Sequence, residues 1–146
     1  MFYGKSVEQT RERFYSSWKK FQRNEPLEAL EQQIAQVIKD HPEYHAIFNQ
    51  DMSLSEQSIP QADKGESNPF LHMGLHLAIR DQITLDRPKG IRSVFLALCQ
   101  KYKNEAEAEH ALMDGLAEVL WLAQREGVMP SEDIYLSICV KLINRL

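Results

Sequence analysis

The chain has 146 residues, of which 43% are hydrophobic and 26% charged, and its formal net charge is -4. A chain of this size and composition buries an apolar core without disulfides or a structural metal, which excludes an intrinsically disordered protein. The acidic balance gives no general attraction to phosphate backbones or anionic lipid, so we expect neither nucleic acid nor a membrane as a partner.

The cysteines and the N-terminus indicate a compartment. Cys99 and Cys139 stand far apart and lack the short spacing of a zinc or redox motif. The first residues, MFYGKSVEQTRERF, lack the apolar core of a signal peptide, and no apolar run approaches the roughly 20 residues of a membrane span. We therefore expect a cytoplasmic protein, and the sequence leaves a homo-oligomer open.

The apolar spacing predicts an all-α fold, a single domain over residues 1–146 built as a helical bundle of five to six main helices. The first helix is predicted over about residues 6–21, with Phe14, Trp18 and Phe21 on its core-facing stripe. The second is capped by Asn24 and runs to Asp40, and a short turn of helix, PEYHAIF, follows. Residues 51–68 are polar, without helical or strand periodicity, and are predicted to be one long loop.

The second half predicts four further helices and no strand. Asn68 and Pro69 start one that runs to about residue 87, and IRSVFLALCQKY forms the next. A long helix over about residues 105–126 stops at Gly127. Ser131 caps the last helix, whose expected inward residues are Ile134, Ile138, Leu142 and Ile143.

Five histidines fall in three clusters, HPEYH, HMGLH and EAEH. His72 and His76 are four residues apart on one helix, so their imidazoles share a face and can reach one metal ion. That face continues through Ile79 and Ile83, which indicates burial. Buried imidazoles need partners for both ring nitrogens, and a shared metal ion or hydrogen bonds to neighbouring carboxylates or carbonyls would supply them. His41 and His45 are the weaker pair, because Pro42 interrupts the helix between them.

Carboxylates accompany the third cluster. Glu107, His110 and Asp114 lie on one side of the long helix, the arrangement with which helical bundles build iron or manganese sites. A separate apolar face of the same helix passes through Leu112 and Leu116. If that face packs on the core, the side with Glu107 and Asp114 faces solvent. Trp121, at the end of the same side, favours burial.

Four stretches, HPEYH, NPFLHMGLHLAIRDQ, DRPKGIR and AEHALMDGLAEVLWLAQR, resemble a family of small proteobacterial proteins defined only as a domain of unknown function. The resemblance covers nearly the whole chain and implies a bacterial source, but it brings no activity. This chain has Asp114 where the family's motif leads us to expect a glutamate, so a carboxylate is retained. The inventory of histidines and acids is also similar to that of hemerythrin-like and DinB-like helical bundles, which implies iron, zinc or nickel held between helices.

Two hypotheses follow from these residues. The first is a divalent metal, Fe, Zn, Mn or Ni, bound by His72, His76 and His110 with Glu107 or Asp114, and with His45 as a candidate for a further ligand. An open position on such a metal would support hydrolytic or redox chemistry, and the sequence names no reaction. No nucleotide cofactor is expected, because no Gly-rich loop follows a strand. The rival is a metal-free helical interaction or regulatory module with structural histidines.

Overall fold

A computed structural model describes residues 7–48 and 69–145 of the chain. Its helices are α1 (Val7–Gln22), α2 (Ala29–Lys39), α3 (His45–Phe48), α4 (Pro69–Leu85), α5 (Ile91–Tyr102), α6 (Glu105–Glu126) and α7 (Glu132–Asn144), with a 3-10 turn, Pro42–Tyr44, before α3. The all-α prediction is confirmed, and these ranges contain no strand. Within these ranges the structure has seven helices instead of the expected five to six, because the short turn after Pro42 forms the four-residue α3. The predicted loop at 51–68 and the Asn68 cap lie outside the described residues.

The chain divides into two compact units, residues 1–77 and 78–146. In the first unit, α1 packs on α2, and the core joins side chains of α1, α2, α3 and α4. In the second, α5, α6 and α7 pack against one another. The single domain over 1–146 stays a prediction. Within the described ranges, no helix combines the length and the apolar character that crossing a membrane requires.

The predicted bounds of α5 and α6 and the predicted Ser131 cap of α7 agree with the structure, whereas α4 ends at Leu85, about two residues earlier than predicted. The side chain of Asn104 accepts from the Glu107 N–H at 3.1 Å to begin α6, and the side chain of Ser131 accepts from the Ile134 N–H at 3.2 Å to begin α7. Gly127 ends α6 with a φ of +66°, a left-handed conformation that glycine adopts without strain. The bounds predicted for α5 and α6 are therefore confirmed.

The start of α2 was predicted wrongly. Asn24 has a φ of +57° and lies in the turn after α1, so it does not cap α2. The helix begins at Ala29, where a Glu31 carboxylate oxygen accepts from the Glu28 N–H at 2.9 Å. Pro26 consequently lies before the helix.

The inward face of α7 also differs from the prediction. Of the expected residues, Leu142 is buried, Ile138 and Ile143 are half-buried and Ile134 is 51% exposed. Tyr135 and Cys139 are buried instead, and the Tyr135 hydroxyl donates to the Gln82 side chain at 2.5 Å. Similarly, Phe21 at the end of α1 is 37% exposed, whereas Phe14 and Trp18 are buried as expected.

Candidate metal centre

Helix α4 brings His72 and His76 together, one turn apart. Their Nε2 atoms are 3.1 Å apart, within hydrogen-bond distance, so that one ring donates and the other accepts. The ring centroids are 4.7 Å apart. The spacing of four residues thus places both imidazoles on one face of the helix, as expected. The role of this pair as metal ligands stays a prediction.

The third imidazole of the group belongs to His41, directly after α2. Its ring centroid lies 4.6 Å from that of His76 and 5.3 Å from that of His72. His41 Nδ1 donates to the Val37 carbonyl at 2.8 Å. A carbonyl only accepts hydrogen bonds, so Nδ1 carries the proton, and Nε2 of the neutral ring presents its lone pair. An N–H held by a backbone carbonyl is the usual support of a metal-binding histidine.

The three histidines together could hold one ion. Their candidate ligand atoms, the ring nitrogens, lie within 4.8 Å of one another. Among the described residues, these three histidines form the cluster of metal-ligating side chains that could hold an ion. Metal–nitrogen bonds of about 2.0–2.1 Å place cis or tetrahedral nitrogens about 2.8–3.4 Å apart. The His72–His76 separation already lies in that range. The widest separation, at most 4.8 Å, exceeds the upper end of that range by at most about 1.4 Å.

The surroundings of the group are mostly buried. His41 is 7% exposed and His76 3%, whereas His72 is half-buried. The Tyr44 ring stacks parallel to His41, with centroids 5.6 Å apart, and meets His72 edge-on at 6.3 Å. Burial, with a smaller contribution from the charge of Glu43, raises the pKa of Tyr44, so its hydroxyl stays protonated at neutral pH. Of the three histidines, His72 is therefore the most exposed to solvent.

His45, the candidate for a further ligand, is placed differently. Its Nε2 donates to the Ile38 carbonyl at 2.8 Å, and its ring lies 4.9 Å from that of Trp18. It does not belong to the group of three. The ligand set predicted from the sequence contains His45 and lacks His41, although both residues belong to the HPEYH cluster. The signal for His41 was its position just before Pro42, where the chain leaves the helix and the ring turns back onto the last turn of α2.

The carboxylate cluster lies in the second unit, on α6. Glu107 and Asp114 are exposed and His110 is half-buried. The buried face of α6 contains Ala108, Ala111, Leu112, Met113, Gly115, Leu116, Val119 and Ala123. Trp121 is 57% exposed, and the Arg125 guanidinium lies 4.8 Å over its ring, so its presence did not indicate burial. None of the three residues belongs to the histidine group, and their role as ligands stays a prediction.

Comparison with known proteins gives a family and no activity. A family model described as a domain of unknown function, DUF1841, matches residues 6–141. Neither a curated protein nor a solved structure matches the chain significantly.

Proposed function

We propose that this chain, which belongs to the DUF1841 family, a domain of unknown function, binds a divalent transition metal through His41, His72 and His76. The observation that carries this proposal is the convergence of three imidazoles from two separate segments of the first unit. Two of them are one turn apart on α4, and the third follows α2. The Val37 carbonyl supports the proposal further, since it holds His41 in the tautomer that leaves Nε2 as the ligand.

The ligand set favours a particular class of metal. Imidazole suits Zn²⁺, Cu²⁺, Fe²⁺ and Ni²⁺, whereas Mg²⁺ and Ca²⁺ prefer oxygen ligands. Three protein ligands leave at least one coordination position open, as in catalytic rather than structural zinc sites. A metal with an open position either lowers the pKa of a bound water or binds a small molecule. The proposal is therefore a metal-binding protein with a reactive coordination position, and its reaction is unassigned.

The rival function is a metal-free interaction module. Two observations favour it. The imidazoles already form hydrogen bonds without an ion, His41 with the Val37 carbonyl and His72 with His76. The second unit also exposes several large apolar side chains. Val128 is 61% exposed and Met129 86%, and they lie beside Ile134 around a cavity of about 160 Å³. Exposed apolar side chains of this kind favour a protein partner.

Metal analysis of histidine variants tests the proposal. The chain is purified without a histidine tag, stripped with a chelator, incubated with Zn²⁺, Ni²⁺, Fe²⁺ or Mn²⁺ and desalted, and bound metal is counted by plasma mass spectrometry. We expect one equivalent in the wild type and its loss in His41→Gln, His72→Gln and His76→Gln. His45→Gln is the matched control, because it removes a neighbouring imidazole that does not belong to the group.

The outcomes separate the two functions. Circular dichroism establishes that each variant retains its helices, so that loss of metal reflects loss of a ligand. A wild-type chain that binds none of the four metals contradicts the proposal and favours the interaction module. Equal loss in His45→Gln, with helices intact, contradicts the ligand set. A His110→Gln variant tests the ligand set predicted from the sequence, which includes His110. If this variant still binds the metal, His110 is not a ligand.

A further inference from the structure

The 3-10 turn Pro42–Tyr44 places an aromatic ring beside one of the proposed ligands. Pro42 disfavours the α region for His41, which has a φ of -125° and a ψ of 69° and so leaves the helix. The Tyr44 N–H donates to the His41 carbonyl at 2.9 Å and closes the turn. Side chains three residues apart lie one above the other in a 3-10 turn. The spacing of His41 and Tyr44 in HPEYH therefore brings their two rings together.

The Tyr44 ring contacts two of the three proposed ligands, which come from different segments. It is nearly parallel to the His41 ring, with 8° between the planes and 5.6 Å between the centroids. It meets the His72 ring of α4 edge-on, with 75° between the planes and 6.3 Å between the centroids. Both distances lie in the range of about 4.5–7 Å in which aromatic pairs attract each other. Tyr44 also packs against the core of the first unit, so its own ring is held in place.

The stack restricts a motion of His41 that matters for binding. The hydrogen bond from Nδ1 to the Val37 carbonyl fixes the direction of one N–H bond. It leaves the ring free to turn about that bond, and such turning moves Nε2 and its lone pair along an arc. A parallel neighbour fixes the plane of the ring and removes this freedom. The two contacts together hold Nε2 at a defined position, and a preorganised ligand binds a metal more tightly than a mobile one.

We infer that Tyr44 is a positioning residue of the proposed metal centre, whose ring holds the imidazoles of His41 and His72 in the orientation that binds the ion. The inference rests on the proposed function and gives a role to the tyrosine of HPEYH. Both contacts are made by the ring, so the role does not require the hydroxyl. Tyr44→Phe should therefore keep it, whereas Tyr44→Leu, which retains an apolar side chain without an aromatic ring, should lose it.

Metal affinity in a set of variants tests this role. The full chain is titrated in competition with a chromogenic chelator, with Zn²⁺ or, where the wild type binds another of the four metals instead, with that metal. We expect Tyr44→Leu to raise the Kd about tenfold, the lower end of the loss that follows removal of a group that orients a ligand. Tyr44→Phe should keep the wild-type Kd. Phe21→Leu is the matched control, because it removes a partly exposed ring of the same unit that stacks on Trp18.

The metal-free protein supplies a second readout, which a purely structural role of Tyr44 would not change. In ¹⁵N-edited NMR spectra, the Nδ1–H of His41 should give a resolved signal in the wild type and in Tyr44→Phe. The signal should broaden in Tyr44→Leu, because the imidazole is no longer held in one plane. Circular dichroism establishes that Tyr44→Leu keeps its helices, and Tyr44→Met replaces it where it does not.

Each result has a distinct meaning. Metal bound by the wild type and an equal Kd in Tyr44→Leu overturn the inference and leave the metal proposal standing. Equal weakening in Tyr44→Phe or in Phe21→Leu also overturns it, because the effect would then not come from the aromatic ring at position 44. A wild-type chain that binds none of the four metals overturns the proposed function and the inference together, and metal analysis shows this before the variants are compared.

Discussion

At the scale of single residues, His41 has two separable roles. Besides presenting Nε2 to the group, its Nδ1–H donates to the Val37 carbonyl in the last turn of α2, where carbonyls lack partners within the helix. We predict that His41→Ala lowers the free energy of unfolding of metal-free protein by about 1–3 kcal/mol, because it leaves a buried acceptor unpaired. His41→Gln keeps a side-chain donor and should cost less. Urea unfolding in the presence of a chelator measures both, and equal losses would contradict the capping role.

Glu31 gives the second prediction at this scale. Its carboxylate accepts from Lys20 Nζ at 2.8 Å and from the Glu28 N–H, and these hydrogen bonds lower its pKa below the ordinary 4.5. A lowered pKa means that Glu31 stabilises the fold above about pH 4.5 and that this contribution is lost as the pH falls through the folded-state pKa.

Replacement of Glu31 should show this pH dependence directly. We expect Glu31→Gln to lower the free energy of unfolding by about 1 kcal/mol at pH 7, because it removes the negative charge that pairs with Lys20 and strengthens the hydrogen bond from the Glu28 N–H. The difference from the wild type should shrink as the pH is lowered to 3. Urea unfolding across this pH range, with the exposed Glu12→Gln as control, checks the prediction. A difference that does not depend on pH would contradict it.

At the scale of the helices, two glycines inside helices differ in the space available for a larger side chain. A Cβ added at Gly74 in α4 meets no heavy atom of the described residues within 4 Å, whereas one at Gly115 in α6 meets Cys139 Sγ at 3.1 Å. Glycine costs a helix about 0.5–1 kcal/mol relative to alanine. We predict that Gly74→Ala stabilises the chain by about that amount and that Gly115→Ala gains less or destabilises it, because α7 must move away. Chemical denaturation of both variants measures this order, and the reverse order would contradict it.

At the scale of the molecule, the proposed metal links distant parts of the first unit. His72 lies 31 positions after His41, so one ion would join the end of α2 to α4. A ligand that binds only the folded state adds about 2.7 kcal/mol to stability at a concentration 100 times its Kd. We predict that Zn²⁺ raises the unfolding midpoint reported by the buried Trp18 in a Trp121→Phe background. The rise should be kept in His45→Gln and be lost in His76→Gln, and an equal rise in both would contradict the linkage.

The sequence by itself determined the features whose causes are local. The all-α class follows from apolar spacing, and the ends of α5 and α6 follow from turn residues, the Asn104 cap and Gly127, each of which acts within a few residues. The pairing of His72 with His76 is local in the same sense, because helical geometry alone places side chains four apart on one face. The all-α class and the bounds of α5 and α6 are confirmed, whereas the metal-ligand role of His72 and His76 stays a prediction.

Tertiary structure decided what depends on residues distant in the chain. The faces that α6 and α7 bury are set by their mutual packing, through contacts such as Gly115 against Cys139, so Asp114 and Ile134 are exposed despite their patterns. His41 joins the α4 pair, and His45 does not, because side chains of α2 and α4 share one core, and this packing brings the end of α2 beside the two imidazoles. No local spacing encodes that approach, since it arises only when the two helices bury their apolar faces together.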